Sequence, residues 1–115
     1  MTNFIIIPVA GEEIQGEIDW GHDPGFRSIK TLVEPLLGLG EPFEHVTVLH
    51  EGRRVDMFVS ELGRVSLATR APLPINPRAT KIYRCNWLTE YPDDDPNSLP
   101  AIAGVAVLFL QRVWF

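Results

Sequence analysis

The stretch at residues 76–84, NPRATKIYR, has the clearest local pattern in the chain and predicts the start of a helix. Asn76 is a favoured N-cap residue, because its side-chain oxygen accepts an otherwise unpaired backbone N–H of the first turn. Pro77 suits the next position, where its missing N–H costs nothing and its φ is already helical. At about 100° per residue, one arc of this helix carries Ala79, Ile82, Tyr83 and Trp87. We therefore predict an amphipathic helix that packs this arc on a core.

The opposite arc of the same helix carries three cations, Arg78, Lys81 and Arg84. A helix start concentrates N–H donors and the positive end of the helix dipole, so Arg78 in the first turn can complete an anion site with Asn76. The simpler explanation is that these cations form a solvated helix face. The stretch thus predicts either a binding surface for an anion or partner, or an exposed basic face.

Outward from this helix, hydrophobic periodicity predicts two hairpins, an earlier helix and a final strand. The predicted strands cover residues 3–9, 14–20, 43–50 and 55–59, and an apolar segment at residues 101–115. The first and last of these are apolar on both faces, which is typical of central strands. The earlier helix follows Asp23 and Pro24 and ends near Gly38. We predict one α+β domain over residues 1–115, whose elements follow one another along the chain as β-β-α-β-β-α-β. The five strands form a mostly antiparallel sheet, and both helices pack on one face of it.

The distribution of charge is more informative than the net charge of −5. Residues 1–52 carry a net charge of −7 and residues 85–115 a net charge of −3, whereas residues 53–84 carry +5. Asymmetry of this kind bears on the choice of partners. The seven cations of the basic middle are candidate anion-binding or partner-binding residues together with Asn76; they are Arg53, Arg54, Arg64, Arg70, Arg78, Lys81 and Arg84.

The sequence contains no complete catalytic constellation, and we assign no catalytic residue. Asp19, His22 and Asp23 are close enough in sequence to form a carboxylate–imidazole site, but an aspartate before proline already has a capping role. His45 and His50 lie five residues apart on one predicted strand, so they point to opposite faces and cannot share one metal ion. We therefore predict no metal and no cofactor.

Cys85 is the one cysteine of the chain, which excludes an intramolecular disulfide and a cysteine-based metal cluster. We predict that it is a buried structural thiol. The apolar residues 4–10 lack a basic leader, and no apolar run approaches the ~20 residues of a membrane span. We expect a cytoplasmic protein without a membrane partner.

Three segments resemble a family of small uncharacterised proteins found in bacteriophages, plasmids and bacterial genomes. They are residues 56–63 (DMFVSELG), 74–83 (PINPRATKIY) and 102–108 (IAGVAVL). The shared features are a strand that ends in Glu-x-Gly, an Asn-x-x-Ala-Thr helix start and a final apolar strand that begins with glycine. The family has no established activity to transfer. The resemblance implies an accessory gene of a mobile element.

Three functional hypotheses follow. The preferred one is a protein-binding module of a phage or other mobile element, and its partner is a host or phage protein. One role of such a module is anti-defence, in which it inhibits a host defence or regulatory protein. The alternative is binding of nucleic acid, nucleotide or another phosphorylated ligand through the basic surface of residues 53–84, which would weaken steeply with salt. The third is a small hydrolase or transferase that uses Asp19, His22 and Asp23.

Overall fold

A five-stranded antiparallel sheet with two helices packed on it forms the fold. The computed structural model describes residues 2–20, 25–37, 43–60, 74–95 and 101–113. The strands are β1 (Thr2–Ile7), β2 (Ile14–Ile18), β3 (Phe43–His50), β4 (Arg53–Ser60) and β5 (Ala106–Phe109), and the helices are α1 (Gly25–Leu37) and α2 (Pro77–Glu90). The predicted α+β fold and its element order are confirmed.

The last strand lies at the centre of the sheet, whose order is β2-β1-β5-β4-β3. β5 pairs with β1 on one side and with β4 on the other, and all pairs are antiparallel. The central position predicted for this strand is therefore confirmed. The strand is shorter than the apolar segment of residues 101–115, since Gly104 has a φ of 77° and Ala103 forms an isolated bridge with Ile75. The chain thus turns before β5 begins.

The two helices lie on opposite faces of the sheet, so the prediction that both cover one face is wrong. Successive strand residues alternate between faces, and the buried residues form two separate clusters. On the α2 face lie Ile5, Ile7, Val48, Val55, Met57, Val59, Ala79, Ile102, Ala106 and Leu108, with Ile82 and Tyr83 of α2 packed against them. On the α1 face lie Phe4, Ile29, Val33, Phe58, Val107, Phe109 and Val113. Strands that are apolar on both faces need cover on both faces.

The α1 face has an aromatic core around Phe109. Its ring centroid lies 5.7 Å from that of Phe4, 5.4 Å from that of Trp20 and 5.6 Å from that of Phe58. Phe4 pairs across the strands with Gly16 of β2, and its ring lies against the glycine. A Cβ at position 16 would collide with the tip of that ring. Glycine is therefore required where the aromatic ring crosses the edge strand.

Candidate binding surface

Asn76 lies before the first turn of α2, and its side chain binds the backbone of the protein itself. Its Oδ1 accepts the N–H of Ala79 at 3.1 Å, and its Nδ2 donates to the carbonyls of Ile7 and Gly104, each at 2.9 Å. The residue is 0% exposed. The predicted N-cap is confirmed, and each polar atom of the side chain is bonded inside the fold.

The segment before β5 covers the start of α2. The N–H of Asn76 donates to the carbonyl of Ile102 at 2.8 Å. Thr80 Oγ1 accepts the N–H of Ile102 at 2.9 Å and donates to its carbonyl at 3.3 Å. The helix start therefore joins β1 and the approach to β5, and its donors serve internal bonds.

Arg78 contacts the end of the first strand. Its Nη2 donates to the carbonyl of Pro8 at 2.6 Å, and its Nη1 lies 3.9 Å from Glu13 Oε1. The side chain is 33% exposed. A hydrogen bond from a charged donor to a half-buried carbonyl stabilises the fold more than a solvated cation does. In this arrangement Arg78 links α2 to the connection between β1 and β2.

The other predicted cations lie apart from one another. Arg54 Nη2 pairs with Glu90 Oε1 at 2.7 Å, near the end of α2. Lys81 is exposed on α2, and Arg84 is half-buried. Arg53 lines a groove that is described below. Outside the described residues lie Arg64 and Arg70. The cations that the structure describes do not gather at the start of α2.

An open groove lies on the α2 face of the sheet, at the end where β1 begins and β5 ends. Its two parts share Asn3 and Leu110 and have volumes of about 380 Å³ and 470 Å³. Apolar side chains of Ile5, Val55 and Leu110 form the floor. The polar lining consists of Asn3, Gln15, Glu17, His50, Glu51, Arg53 and Gln111. These volumes are in the range of small-molecule pockets, but both parts are wide open to solvent.

The path of α2 explains why this end of the sheet is open. The helix begins beside Ile7 and Gly104, and it packs mainly on β3, where Asn86 Nδ2 donates to the carbonyl of Thr47 at 3.0 Å. Asn3 lies four residues before Ile7 on β1, which is about 13 Å along a strand. The helix therefore crosses away from the beginning of β1, and the groove lies in the corner that it leaves.

β2 borders the groove and forms one edge of the sheet. Among the described strands it pairs with β1 alone. Ile14, Gln15 and Glu17 are exposed along it, with Ile14 at 57%. Gln15 and Glu17 lie opposite Ile5 and Asn3, so their side chains are on the α2 face. The groove and the edge strand together form one continuous accessible corner.

A buried carboxylate lies on the other face of the sheet. Asp56 of β4 is 0% exposed, and its Oδ1 contacts His45 Nε2 at 2.6 Å and accepts from Arg112 Nε at 3.0 Å. Its Oδ2 accepts the backbone N–H of Val113 at 2.6 Å. We call these residues the Asp56 cluster. It holds the segment that follows β5 against β4, where Val113 completes the α1-face core.

The structure places the two described histidines in different surroundings. His45 and His50 lie on opposite faces, as predicted, because His45 contacts Asp56 and His50 lines the open groove. In the described ranges, no three His, Cys, Asp or Glu residues are grouped to hold a metal ion. His22 and Asp23 of the proposed carboxylate–imidazole site lie outside the described residues.

The prediction of a buried Cys85 is wrong, because the thiol is exposed. α2 packs on the sheet through Ile82 and Tyr83. Cys85 lies about 60° around the helix from Ile82, on the side away from Tyr83, so it stands at the edge of the packed stripe and not within it. At that edge the thiol is open to solvent.

The chain matches no protein-family model, no curated protein and no solved structure. The resemblance to a family of small proteins of bacteriophages, plasmids and bacterial genomes therefore stays a prediction. Within the described part of the chain, neither helix has the length and hydrophobicity that a bilayer span requires.

Sequence reasoning missed most of the residues around the open groove. Arg53 was a candidate, but Asn3, Gln15, Glu17 and His50 carried no motif. One signal was present: Gln15 and Glu17 alternate with Ile14, Gly16 and Ile18, which assigns them to the opposite face from the apolar stripe. Nothing in that alternation shows which strands α2 leaves uncovered.

Proposed function

We propose that this protein is a binding module that recognises a partner protein through the corner of its sheet formed by the open groove and β2. The supporting observation is that an apolar floor lies beside an edge strand, with polar side chains around both. An apolar centre with a polar rim is the usual anatomy of a protein interface. We further propose that the protein is an accessory protein of a mobile element and acts in the cytoplasm of a bacterial host. Inhibition of a host defence or regulatory protein is one activity that such a module can have.

The charge of the corner favours a protein over a nucleic acid. Arg53 is the one candidate cation among the described lining residues, and Glu17 and Glu51 lie in the same lining. A nucleic-acid surface needs several cations that follow a phosphate backbone. Arg54 and Arg78 instead contact Glu90 and Pro8 of the protein itself. The alternative of a phosphorylated ligand therefore has less support from the described residues.

Site-specific photo-crosslinking tests the proposal in a bacterial host. A photoreactive phenylalanine analogue replaces Gln111 at the groove, and the matched control carries it at Lys30, which is exposed on α1. We expect one discrete adduct from the groove position and none from the control. The partner, identified by mass spectrometry, is then purified and titrated against the wild type and Leu110→Ala, which removes part of the apolar floor and which we expect to bind about tenfold more weakly.

Two results would contradict the proposal. The first is equal crosslinking at Gln111 and Lys30, or none at the groove. The second is salt-dependent binding of single-stranded or double-stranded nucleic acid that Arg53→Glu weakens, because that result would support the alternative function.

A further inference from the structure

The hydrogen bonds of β1 determine which backbone groups of β2 face outward. Leu110 N–H donates to the carbonyl of Asn3 at 2.9 Å, so Asn3 directs its backbone polar groups toward β5. In an antiparallel sheet these groups alternate in direction along a strand. Phe4 therefore directs its own groups toward β2, where its partner is Gly16. It follows that Gly16 faces β1, and that Gln15 and Glu17 direct their N–H and C=O groups to the open edge.

The surroundings of this edge are acidic. Residues 2–20 contain four acids and no lysine or arginine. Glu12, Glu13, Glu17 and Asp19 flank or lie within β2, and all four are exposed. Edge strands that resist pairing carry charged side chains, lysine above all, or proline; residues 14–18 contain neither lysine nor proline, and their one charge is the carboxylate of Glu17. Among the described strands none pairs with this edge, whose outward N–H and C=O groups therefore lie open in a negative field.

We propose that the outer edge of β2 binds an extended, basic segment of the partner protein by β-strand addition. This inference depends on the proposed function and names the partner chemistry. Main-chain hydrogen bonds to Gln15 and Glu17 would supply affinity, and alternate side chains would supply specificity. On the added strand, the residues opposite Gln15 and Glu17 would lie on the α2 face, where basic side chains can pair with the carboxylate of Glu17.

The position opposite Gly16 accepts an apolar side chain on the other face. Gly16 has no side chain, and the ring of Phe4 lies against it. Ile14 shares this face and is 57% exposed. An apolar residue on the added strand would contact Ile14 diagonally and cover the edge of the Phe4 ring. The preferred segment therefore alternates basic and apolar residues.

A second copy of this chain is a poorer occupant for the same edge. Two β2 strands that pair edge to edge would bring Glu12, Glu13, Glu17 and Asp19 of both copies together. Like charges placed across a strand pair are destabilising. A concentration-dependent dimer that Gln15→Pro abolishes would overturn this argument and assign the edge to self-association.

The first experiment uses three fluorescein-labelled peptides. One alternates lysine and valine, the second alternates glutamate and valine, and the third has the lysines and valines of the first in two blocks. We expect fluorescence anisotropy to show about tenfold tighter binding of the alternating lysine peptide than of either control. Equal affinity for the peptide with its lysines and valines in two blocks would show that charge alone determines binding, and it would overturn the strand-addition mechanism.

Two pairs of variants separate the contribution of backbone hydrogen bonds from that of side-chain charge. Gln15→Pro removes an outward N–H at an edge position where proline is tolerated, and Gln15→Ala removes the same side chain but keeps the N–H. Glu17→Lys reverses a charge, and Glu17→Gln neutralises it. We expect Gln15→Pro and Glu17→Lys to lose binding, Gln15→Ala to retain it and Glu17→Gln to weaken it. Binding by Gln15→Pro at the wild-type level would refute the proposal.

Hydrogen exchange followed by NMR gives a readout that does not depend on the variants. In the free protein, we expect the amides of Gly16 and Ile18 to be protected and those of Gln15 and Glu17 to exchange quickly. The alternating lysine peptide should protect Gln15 and Glu17. Exchange that stays fast in the saturated complex would show that the peptide binds elsewhere.

Failure of this inference can be distinguished from failure of the proposed function. If Gln111 crosslinks to its partner equally well in a Gln15→Pro background, the protein is a binding module that does not use the β2 edge. If neither Gln111 nor a probe at Gln15 gives an adduct above the Lys30 control, the proposed function itself fails.

Discussion

Removal of the Asp56 carboxylate is expected to destabilise the protein more than any surface substitution. Asp56→Ala leaves the buried N–H of Val113 without its acceptor, and a hydrogen bond to a charged group contributes about 1.5–3 kcal/mol. Arg112 and His45 lose less, because their side chains are 41% and 18% exposed and can gain water. We expect a total loss of about 3 kcal/mol, at the lower end of the range for a broken buried ion pair.

The measurement is urea unfolding followed by tryptophan fluorescence, since Trp20 stacks on Phe109 next to the same core. Asp56→Asn keeps the side-chain volume and one acceptor for the N–H of Val113, but it turns an amide NH₂ toward Arg112 and His45. We expect it to lower the free energy of unfolding by about 2 kcal/mol. Glu44→Ala is the matched control, because Glu44 is an exposed carboxylate on the neighbouring strand and should change stability by less than ~0.5 kcal/mol.

A double-mutant cycle with Arg112→Ala then separates the two charges. Because Arg112 is partly solvated, we expect a coupling energy below about 1 kcal/mol between it and Asp56. Most of the destabilisation should therefore persist in the Arg112→Ala background. If Asp56→Ala costs no more than Glu44→Ala, the carboxylate does not hold the segment after β5, and the account of the Asp56 cluster is refuted.

Four further substitutions test the packing and the helix start. Gly16→Ala should cost about 1–3 kcal/mol in the same unfolding assay, because its Cβ would collide with the Phe4 ring; an unchanged midpoint would mean that the ring moves freely. Asn76→Ala should cost about 2–4 kcal/mol, more than the ~1 kcal/mol of an ordinary cap, since two buried carbonyls lose a donor as well. Arg78→Ala should cost about 1 kcal/mol and Lys81→Ala less than ~0.5 kcal/mol, and equal effects would contradict the structural role of Arg78.

Local signals in the sequence predicted the elements well. Asn76 followed by proline marked the start of α2, and the apolar run around Val107 and Leu108 identified a central strand. β3 begins and ends where its alternation predicted, at Phe43 and His50. Caps and alternation depend on neighbouring residues, and for this reason they can be inferred without knowledge of the fold.

The basic middle of the chain shows why the candidate site was harder to predict. Arg53 and Arg54 are adjacent in sequence, yet Arg53 lines the open groove and Arg54 pairs with Glu90. Arg78 reaches Pro8, 70 residues away. A count of charges along the chain gives their sum but not their partners, because long side chains select contacts from whatever the topology brings near.

The same limit applies to Asp56, which enters the net charge of residues 53–84 only as one acid among seven cations. The strand alternation assigns it to the face of Phe58, an apolar face where a carboxylate requires partners. That requirement was visible in the sequence, although the identity of Arg112 and Val113 as partners was not. A charged residue at an inward position of a predicted strand therefore predicts a long-range polar contact.

The opposite placement of the helices has a direct consequence for binding. Ile5 and Ile7 face α2 while Phe4 and Ile6 face α1, so β1 needs cover on both faces. With one helix for each face, neither is wide enough to cover five strands, since a helix spans about 10 Å and neighbouring strands are ~4.8 Å apart. α2 covers the β3 side, which leaves the beginning of β1 and the edge of β2 accessible. The open corner is thus a product of the fold, and the acidic residues around Gln15 determine which partner can occupy it.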